Sequence, residues 1–247
     1  MGSRIDVDAA LPRSDMSRFL TRKWTWDQAV SAINSPNVEL AVEASEELYK
    51  LADPSRIPEL YRLMNNPSFF VREAAAAPLA ELEGAKALHA MLTALERGHQ
   101  DGHDNDGLLN TVTGLLEANA ETCRLVLLGM LGSDNKLDRE HAAWAWGYIC
   151  AIASPDPLLD LLRTETNVSV RVDAIGSLAS FSGDERVFQL LMTAAHDADQ
   201  EVRLSAISSL GYYKDQRAKP VLEEIAKSNN QELQNVAKFA LKCLKSK

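Results

Sequence analysis

The feature that most constrains the fold of this chain is an internal repeat that runs through nearly all of its 247 residues. The clearest pair of repeats is PNVELAVEASEELYKLAD, residues 36–53, and DQEVRLSAISSLGYYKD, residues 199–215. The repeat has one anchor position in each unit: Leu40, Val71, Leu108, Asp138, Val170, Val202 and Leu233. Successive anchors lie 31, 37, 30, 32, 32 and 31 residues apart. Such a period is typical of solenoids, in which each unit packs only on its neighbours.

Three further columns of the repeat predict a helix in each unit. Three residues before the anchor stand Asn37, Ser68, Asn105, Asn135, Asn167, Asp199 and Asn230, all able to cap a helix N-terminus. Four residues after the anchor stand Ala44, Ala75, Val112, Ala142, Ala174, Ala206 and Ala237. Eight residues after it stand Leu48, Leu79, Leu116, Trp146, Leu178, Leu210 and Leu241. Positions 0, 4 and 8 share one helical face, and the small middle residue allows close packing of a neighbouring helix. At Asp138, the one charged anchor, we expect Leu137 to take the apolar place.

A second amphipathic segment precedes each capped helix, as in residues 56–64 and 185–195. Each unit is therefore predicted to be a helical hairpin. Aromatic residues make up only 6% of the chain, which favours helices packed through small side chains over a β-sandwich. We predict an all-α solenoid of about seven hairpins.

A Val-Arg pair followed by small residues and a Leu begins three of the capped helices. The pairs are Val71-Arg72, Val170-Arg171 and Val202-Arg203. This pattern resembles the HEAT repeat family, and most closely its short variety named after phycobilisome lyases, over about residues 25–245. The resemblance implies a right-handed solenoid whose second helices line the concave face. It is specific for fold and nearly silent on function.

The same resemblance implies a ladder between repeats, built from the Arg of each pair and an acid or amide in the turn. The expected members are Asp197 or Asp199 with Arg203, and Asn167 with Arg171.

The ends and one interruption set the expected organisation of the chain. Residues 1–24 are expected to form an N-terminal tail and cap helix, and residues 25–247 to form the solenoid. The 37-residue spacing places a loop insertion at residues 97–107, RGHQDGHDNDG. Its contact candidates are His99, Asp101, His103 and Asp104. Imidazoles and carboxylates bind metals, but the calcium-loop pattern fails here, and we predict no metal site.

Charge and composition exclude several classes of function. The formal net charge of −9 argues against a phosphate-backbone binder, which needs clustered positive charge. Three widely spaced cysteines fit reduced thiols. Neither a membrane span nor a signal peptide is evident, so we expect a cytoplasmic protein. The sequence contains no phosphate-binding loop, GxSxG or HExxH motif, and we predict neither catalytic residues nor a cofactor.

Offsets 2, 6 and 9 from each anchor are predicted to face the concavity of the solenoid. They give an acidic floor with aromatic residues, and the predicted partner-binding residues are Glu46, Glu73, Glu117, Glu140, Trp144 and Phe239. Trp144 is the sharpest candidate, because Trp is enriched among binding hot spots. Gly114, Gly147, Gly176 and Gly211 lie inside predicted helices and suggest close backbone approach by a neighbouring helix or a partner.

We therefore predict a non-enzymatic protein-binding scaffold that uses an acidic concave face against a basic protein. Its most concrete version is an inhibitor, such as a bacterial immunity protein that neutralises a basic toxin. The alternative from another class is a phycobilin lyase subunit or chaperone-like factor that attaches a tetrapyrrole to a client protein. A third interpretation, a DNA-lesion glycosylase, is opposed by the acidic floor.

Overall fold

The computed structural model of the protein describes residues 23–103 and 105–245, and all regular secondary structure in these ranges is helical. In chain order the α-helices are α1 (Trp26–Ala32), α2 (Val38–Leu51), α3 (Ile57–Met64), α4 (Phe69–Glu83), α5 (Leu88–Gln100), α6 (Asp106–Ala118), α7 (Ala120–Leu131), α8 (Lys136–Trp146), α9 (Asp156–Thr164), α10 (Val168–Leu178), α11 (Glu185–Ala194), α12 (Gln200–Tyr213), α13 (Lys219–Ile225) and α14 (Gln231–Cys243). Short 3-10 turns occupy Pro54–Arg56, Gly84–Ala87, Gly147–Ile149 and Gln216–Ala218. The helices pair in order into seven hairpins, from α1 with α2 to α13 with α14, which confirms the predicted all-α solenoid.

Each second helix of a hairpin begins directly after its predicted N-cap residue. In five of the seven, the cap side chain accepts a backbone N–H bond from the first turn, as Asn167 does for α10. The other two caps bond elsewhere. The Ser68 hydroxyl donates to Asn34 in the preceding hairpin, 2.5 Å away, and the buried Asn105 amide donates to the Leu95 carbonyl.

The predicted apolar stripe is the core of the array. All seven residues at offset 4 have no exposed surface. The residues at offset 8 are likewise buried, except Leu241, which is half-buried. Asp138 differs from the other anchors because its carboxylate accepts a bond from the Ser133 hydroxyl, at 2.8 Å, and lies 2.9 Å from Nε2 of His89 in α5. Leu137 is only half-buried, so the fourth unit makes a polar contact where the others make an apolar one.

A ladder of arginines links successive units, with partners that differ from those the resemblance implied. Arg171 pairs with the Asp197 carboxylate of the next unit, and this bond holds the pKa of Asp197 below its usual value. Asn167 serves instead as the cap of α10. Arg203 donates to the backbone carbonyl of Asp197, at 2.7 Å, and not to a side-chain carboxylate. The turn at Asp197 is therefore held twice, through its carbonyls by Arg203 and through its carboxylate by Arg171.

Close approach between second helices explains part of the glycine pattern. A Cβ at Gly211 would lie 2.7 Å from the Cα of Ala240, so α12 and α14 require glycine there. A Cβ at Gly147 would lie 3.1 Å from the Oγ atom of Ser177 in α10. Gly114, by contrast, has nothing within 4 Å of its Cβ position, and Gly176 meets its nearest atom at 3.8 Å. Neighbouring helices thus explain two of the four glycines.

The second helices lie side by side along most of the array, with one irregular step. Between the third and fourth hairpins, α6 contacts the Gly147–Ile149 turn, and its contact with α8 along the helix length is much reduced. The array therefore has a change of packing near its middle.

The predicted loop insertion at residues 97–107 contains the connection between α5 and α6, and both of its ends are helical. Helix α5 continues to Gln100 and α6 begins at Asp106, which leaves only a short connection. The extension is accommodated because Gly98 has no side chain: the Oδ1 atom of Asn105 lies 1.9 Å from where a Cβ would stand. The predicted cap helix lies mainly outside the described residues. Within the described ranges, no helix combines the length and apolar composition that a membrane span requires.

The two kinds of glycine position predict opposite effects on stability. We expect Gly211→Ala to lower the free energy of unfolding by about 1–3 kcal/mol, because the new methyl group meets backbone. Gly114→Ala is the matched control and should raise it by about 0.5–1 kcal/mol, since alanine is the better helix former. Urea denaturation followed by circular dichroism measures both changes. Equal effects would contradict the close packing of α12 on α14.

The repeat register itself is tested by a charge placed in the stripe. Ala174 is fully buried at offset 4 of the fifth unit, whereas Ala77 of α4 is exposed. We expect Ala174→Asp to unfold the array or its C-terminal half, because the carboxylate would be buried without a partner. Ala77→Asp should keep the wild-type circular dichroism spectrum. Wild-type stability of Ala174→Asp would show that the register is wrong.

Candidate functional site

The surface that the second helices turn away from the core, here called the inner surface, carries the candidate site. Its residues are those at offsets 2, 6 and 9 from the anchors, and among them only Gly211 is buried. Two cavities open on it, one near the N-terminal end and one in the central part of the array.

The larger cavity is a groove of about 940 Å³ between α2 and α4, here called the N-terminal groove. Apolar side chains with much of their surface exposed line it, namely Val38 at 74%, Val42 at 54% and Phe70 at 55%. His103, one of the predicted loop contacts, borders the groove and stacks on Phe69 with ring centroids 4.5 Å apart. The groove is therefore a largely apolar surface open to solvent.

Carboxylates accompany the apolar residues of the groove. The predicted residues Glu46 and Glu73 both line it, so the fold brings these two together. Glu46 is exposed. The Glu73 carboxylate also reaches the first turn of α6, where its Oε1 lies 1.6 Å from the Cβ position of Gly107. A negative charge there suits the positive end of the helix dipole, so Glu73 also joins the second and third hairpins.

The second cavity is a central pocket of about 430 Å³ between α8 and α10. The half-buried Trp144 lies at its edge and packs on Tyr148, with ring centroids 4.9 Å apart and planes inclined at 56°. Small residues from α10 and α12 complete the lining, among them Gly176, Ser177 and Ser205. Trp144 is thus in contact with a neighbouring aromatic ring and still accessible from the pocket.

Asp173 lines the same pocket and was missed by the sequence analysis. Burial, together with the negative charges of Glu140 and Glu96, raises the pKa of its carboxyl group to about 7. No cation or hydrogen-bond donor accompanies this carboxyl group among the residues that the structure describes. Asp173 stands at offset 3, outside the offsets 2, 6 and 9 on which the prediction was based. In the other units this column holds Glu43, Ala74, Thr111, His141, Ser205 and Val236, so the acid alone did not distinguish Asp173.

The other predicted partner-binding residues are spread along the inner surface. Glu140 lies one turn before Trp144 and accepts a 2.7 Å bond from the Ser169 hydroxyl, which joins α8 to α10. Glu117 is exposed on α6 and lines neither cavity. Phe239 is 46% exposed on α14, with its ring 6.0 Å from that of Tyr212. The predicted set therefore does not form one site.

His141 follows Glu140 in α8 and lies against Glu96 of α5. Only 11% of its side chain is exposed, and its Nε2 lies 3.9 Å from a carboxylate oxygen of Glu96. Burial lowers the pKa of His141, because desolvation disfavours the charged imidazolium.

Of the remaining loop candidates, His99 and Asp101 line neither cavity. His99 and Asp101 are exposed, and Asp101 lies 3.8 Å from the buried guanidinium of Arg72. Asp104 lies outside the described residues. Across the described ranges, no three His, Cys, Asp or Glu side chains are grouped as a metal site would need.

Comparisons with known proteins agree with the helical-repeat architecture. Residues 155–242, which include α9 to α14, match the family described as HEAT repeats. No curated protein matches the sequence. Three solved structures are similar to the chain. YibA of Escherichia coli is 15% identical, with 97% of this chain and 99% of that chain covered and a TM-score of 0.47.

The second structure is the complex of CpcE and CpcF of phycocyanin lyase from Nostoc sp. PCC7120, at 18% identity, 98% and 92% coverage and a TM-score of 0.43. The third is a computationally designed armadillo repeat protein for modular peptide recognition, at 17% identity, 89% and 99% coverage and a TM-score of 0.33. All three TM-scores lie below 0.5, and we draw no functional conclusion from them. The seven hairpins make the protein an all-helical solenoid, and its residues 155–242 match the HEAT repeat family.

Proposed function

We propose that the protein is a non-enzymatic scaffold that binds another protein on its inner surface. The observation that carries this proposal is the N-terminal groove, where Val38, Val42 and Phe70 each expose more than half of their side-chain surface. Contiguous exposed apolar surface with a polar rim is typical of protein-binding sites, because its burial against a partner removes it from water.

The charge of the inner surface favours a basic partner. Glu46 and Glu73 line the groove. Asp173 lines the central pocket, and Glu140 and Glu96 add negative charge near it. The chain as a whole has a net charge of −9. Lys50, which also lines the groove, is neutralised by Glu47 at 2.7 Å. Complementary charge speeds encounter and selects partners, whereas a nucleic-acid backbone would be repelled.

An inhibitor of a basic toxin, of the kind that bacterial immunity proteins provide, is the most specific form of this proposal. It rests on charge, size and the lack of recognisable catalytic motifs in the sequence. The alternative, a lyase subunit acting on a tetrapyrrole, stays a prediction from the resemblance of the repeats.

The groove is tested by truncating its apolar side chains. The partner is first captured from the native host and identified by mass spectrometry, and binding is then measured by surface plasmon resonance. We expect the double variant Val42→Ala, Phe70→Ala to weaken binding by about 30-fold or more, as the loss of hot-spot contacts does. Leu125→Ala is the matched control. Leu125 is 63% exposed on α7, which is the first helix of its hairpin and lies away from the inner surface. Equal affinities of the double variant and the control would refute the groove as the interface.

The acidic surface is tested separately by reversing its charge. We expect Glu46→Lys with Glu117→Lys to slow association and to weaken its dependence on salt, because exposed charges act mainly on encounter. Measurements of the association rate at two salt concentrations give both quantities. A double charge reversal at Glu121 and Glu201, exposed acids outside the candidate set, serves as the control. If both variants change the rate equally, only net charge matters, and the inner surface has no special role.

A further inference from the structure

We propose that the central pocket receives an arginine side chain of the bound protein. This inference rests on the proposed function and assigns to one part of the inner surface the chemistry of the group that it recognises.

The charge of the pocket selects a cation. Among its described lining residues Asp173 is the only one with a formal charge. Glu140 and Glu96 add further negative potential at this carboxyl group. An apolar side chain in the pocket would cover Asp173 and leave a carboxylate without a partner, which is costly. An anion would be repelled. Only a cation is attracted both by the Asp173 carboxylate and by the negative potential of Glu140 and Glu96.

The aromatic pair supplies a surface for that cation. Trp144 borders the pocket on the side of α8, and Tyr148 extends the aromatic surface next to it. The face of an indole ring attracts cations, more strongly when both groups are removed from water. A group that entered between Trp144 and Asp173 would therefore meet a ring on one helix and a carboxylate on the other.

The size and the hydrogen-bond acceptors of the pocket favour arginine over lysine. The volume of about 430 Å³ suits one long side chain and is too small for a helix. The hydroxyls of Ser177 and Ser205 donate to the carbonyls of Trp144 and Val172, at 3.0 and 2.9 Å, so their oxygen lone pairs are directed elsewhere and able to accept. A guanidinium has five N–H donors in a plane that also stacks on aromatic rings, whereas an ammonium is a compact and more strongly hydrated charge.

Gly176 has no side chain of its own, which leaves the pocket open at this place. Its Cβ position has Ser205 Oγ as the nearest atom, at 3.8 Å, so no helix contact explains the glycine. A larger residue at this place in α10 would project into the pocket.

The test uses a blocked Gly-Arg-Gly tripeptide and the full chain. The chain contains four tryptophans, of which Trp24, Trp26 and Trp146 are at most 6% exposed. Nuclear magnetic resonance of the indole N–H groups therefore separates Trp144 from the buried rings. We expect the arginine peptide to shift the Trp144 signal in a saturable manner, with a dissociation constant of about 1 mM or somewhat above, as befits a single side chain.

Two ligand controls examine the chemistry. The peptide with citrulline in place of arginine keeps the shape and loses the charge, and it should not bind. The lysine peptide should bind at least about 5-fold more weakly, because an ammonium lacks the planar fork. Equal binding of the citrulline peptide, or no shift of Trp144 with about 20 mM arginine peptide, would overturn the proposal. Lysine binding as tight as arginine binding would overturn the assignment to arginine.

Two protein variants examine the residues. Asp173→Asn should weaken binding of the arginine peptide at least about 10-fold through loss of the charge-assisted hydrogen bonds, whereas Glu117→Gln, another acid on the inner surface, should leave it unchanged. The midpoint of urea denaturation at pH 8 checks the fold. For Asp173→Asn it should be unchanged or higher, because the amide removes a charge that is disfavoured by burial. Unaltered affinity in a folded Asp173→Asn variant would overturn the proposal.

The tripeptide experiment requires no knowledge of the partner, so the two proposals fail separately. Loss of partner binding in the groove variant with no arginine binding would leave the scaffold proposal standing and reject the pocket. Arginine binding without any effect of the groove variant would retain the pocket and reject the groove.

Discussion

Close packing between second helices is the constraint on which the rest of this structure depends. The residues at offset 4 of every unit are fully buried, and six of the seven are alanine. Because these side chains are so short, neighbouring helices approach closely, and where α12 also has a glycine, at Gly211, its backbone nearly touches that of Ala240. At that distance a single added methyl group would overpack the interface and destabilise it. The Arg171–Asp197 pair and the bond from Ser205 to the Val172 carbonyl follow from the same proximity, since each joins neighbouring units.

The columns of the repeat predicted the architecture well because each encodes a local requirement. Capping residues mark where a helix begins, and apolar spacing marks the face that is buried. The seven second helices begin where Asn37 and its equivalents predicted. At residues 97–107 the helix bounds were not predicted, because a polar, glycine-containing segment is typical of a loop. Only the tertiary contact between Gly98 and Asn105 shows why it continues α5.

The candidate site was less predictable than the fold. Helical spacing identified Glu46, Glu73 and Trp144 as residues that face away from the core, and each of them lines a cavity. Helical spacing could not show that Glu73 also reaches α6. It also could not show that Asp173, at offset 3 and so outside the predicted offsets, faces the pocket. These facts depend on the angle between neighbouring helices, which is a property of packing and not of a single helix. Cavities arise between units, whereas periodicity describes one unit at a time.

The irregular step between α6 and α8 divides the array into hairpins one to three and four to seven. In a chain of units that stabilise only their neighbours, cooperativity passes along the array through each interface in turn. At this step the contacts run through the Gly147–Ile149 turn and α7, so a displacement of α6 reaches the second helices beyond it only indirectly. The N-terminal groove lies within the first block and the central pocket within the second. A partner that contacts both would bridge this step and connect two blocks whose second helices scarcely pack on each other.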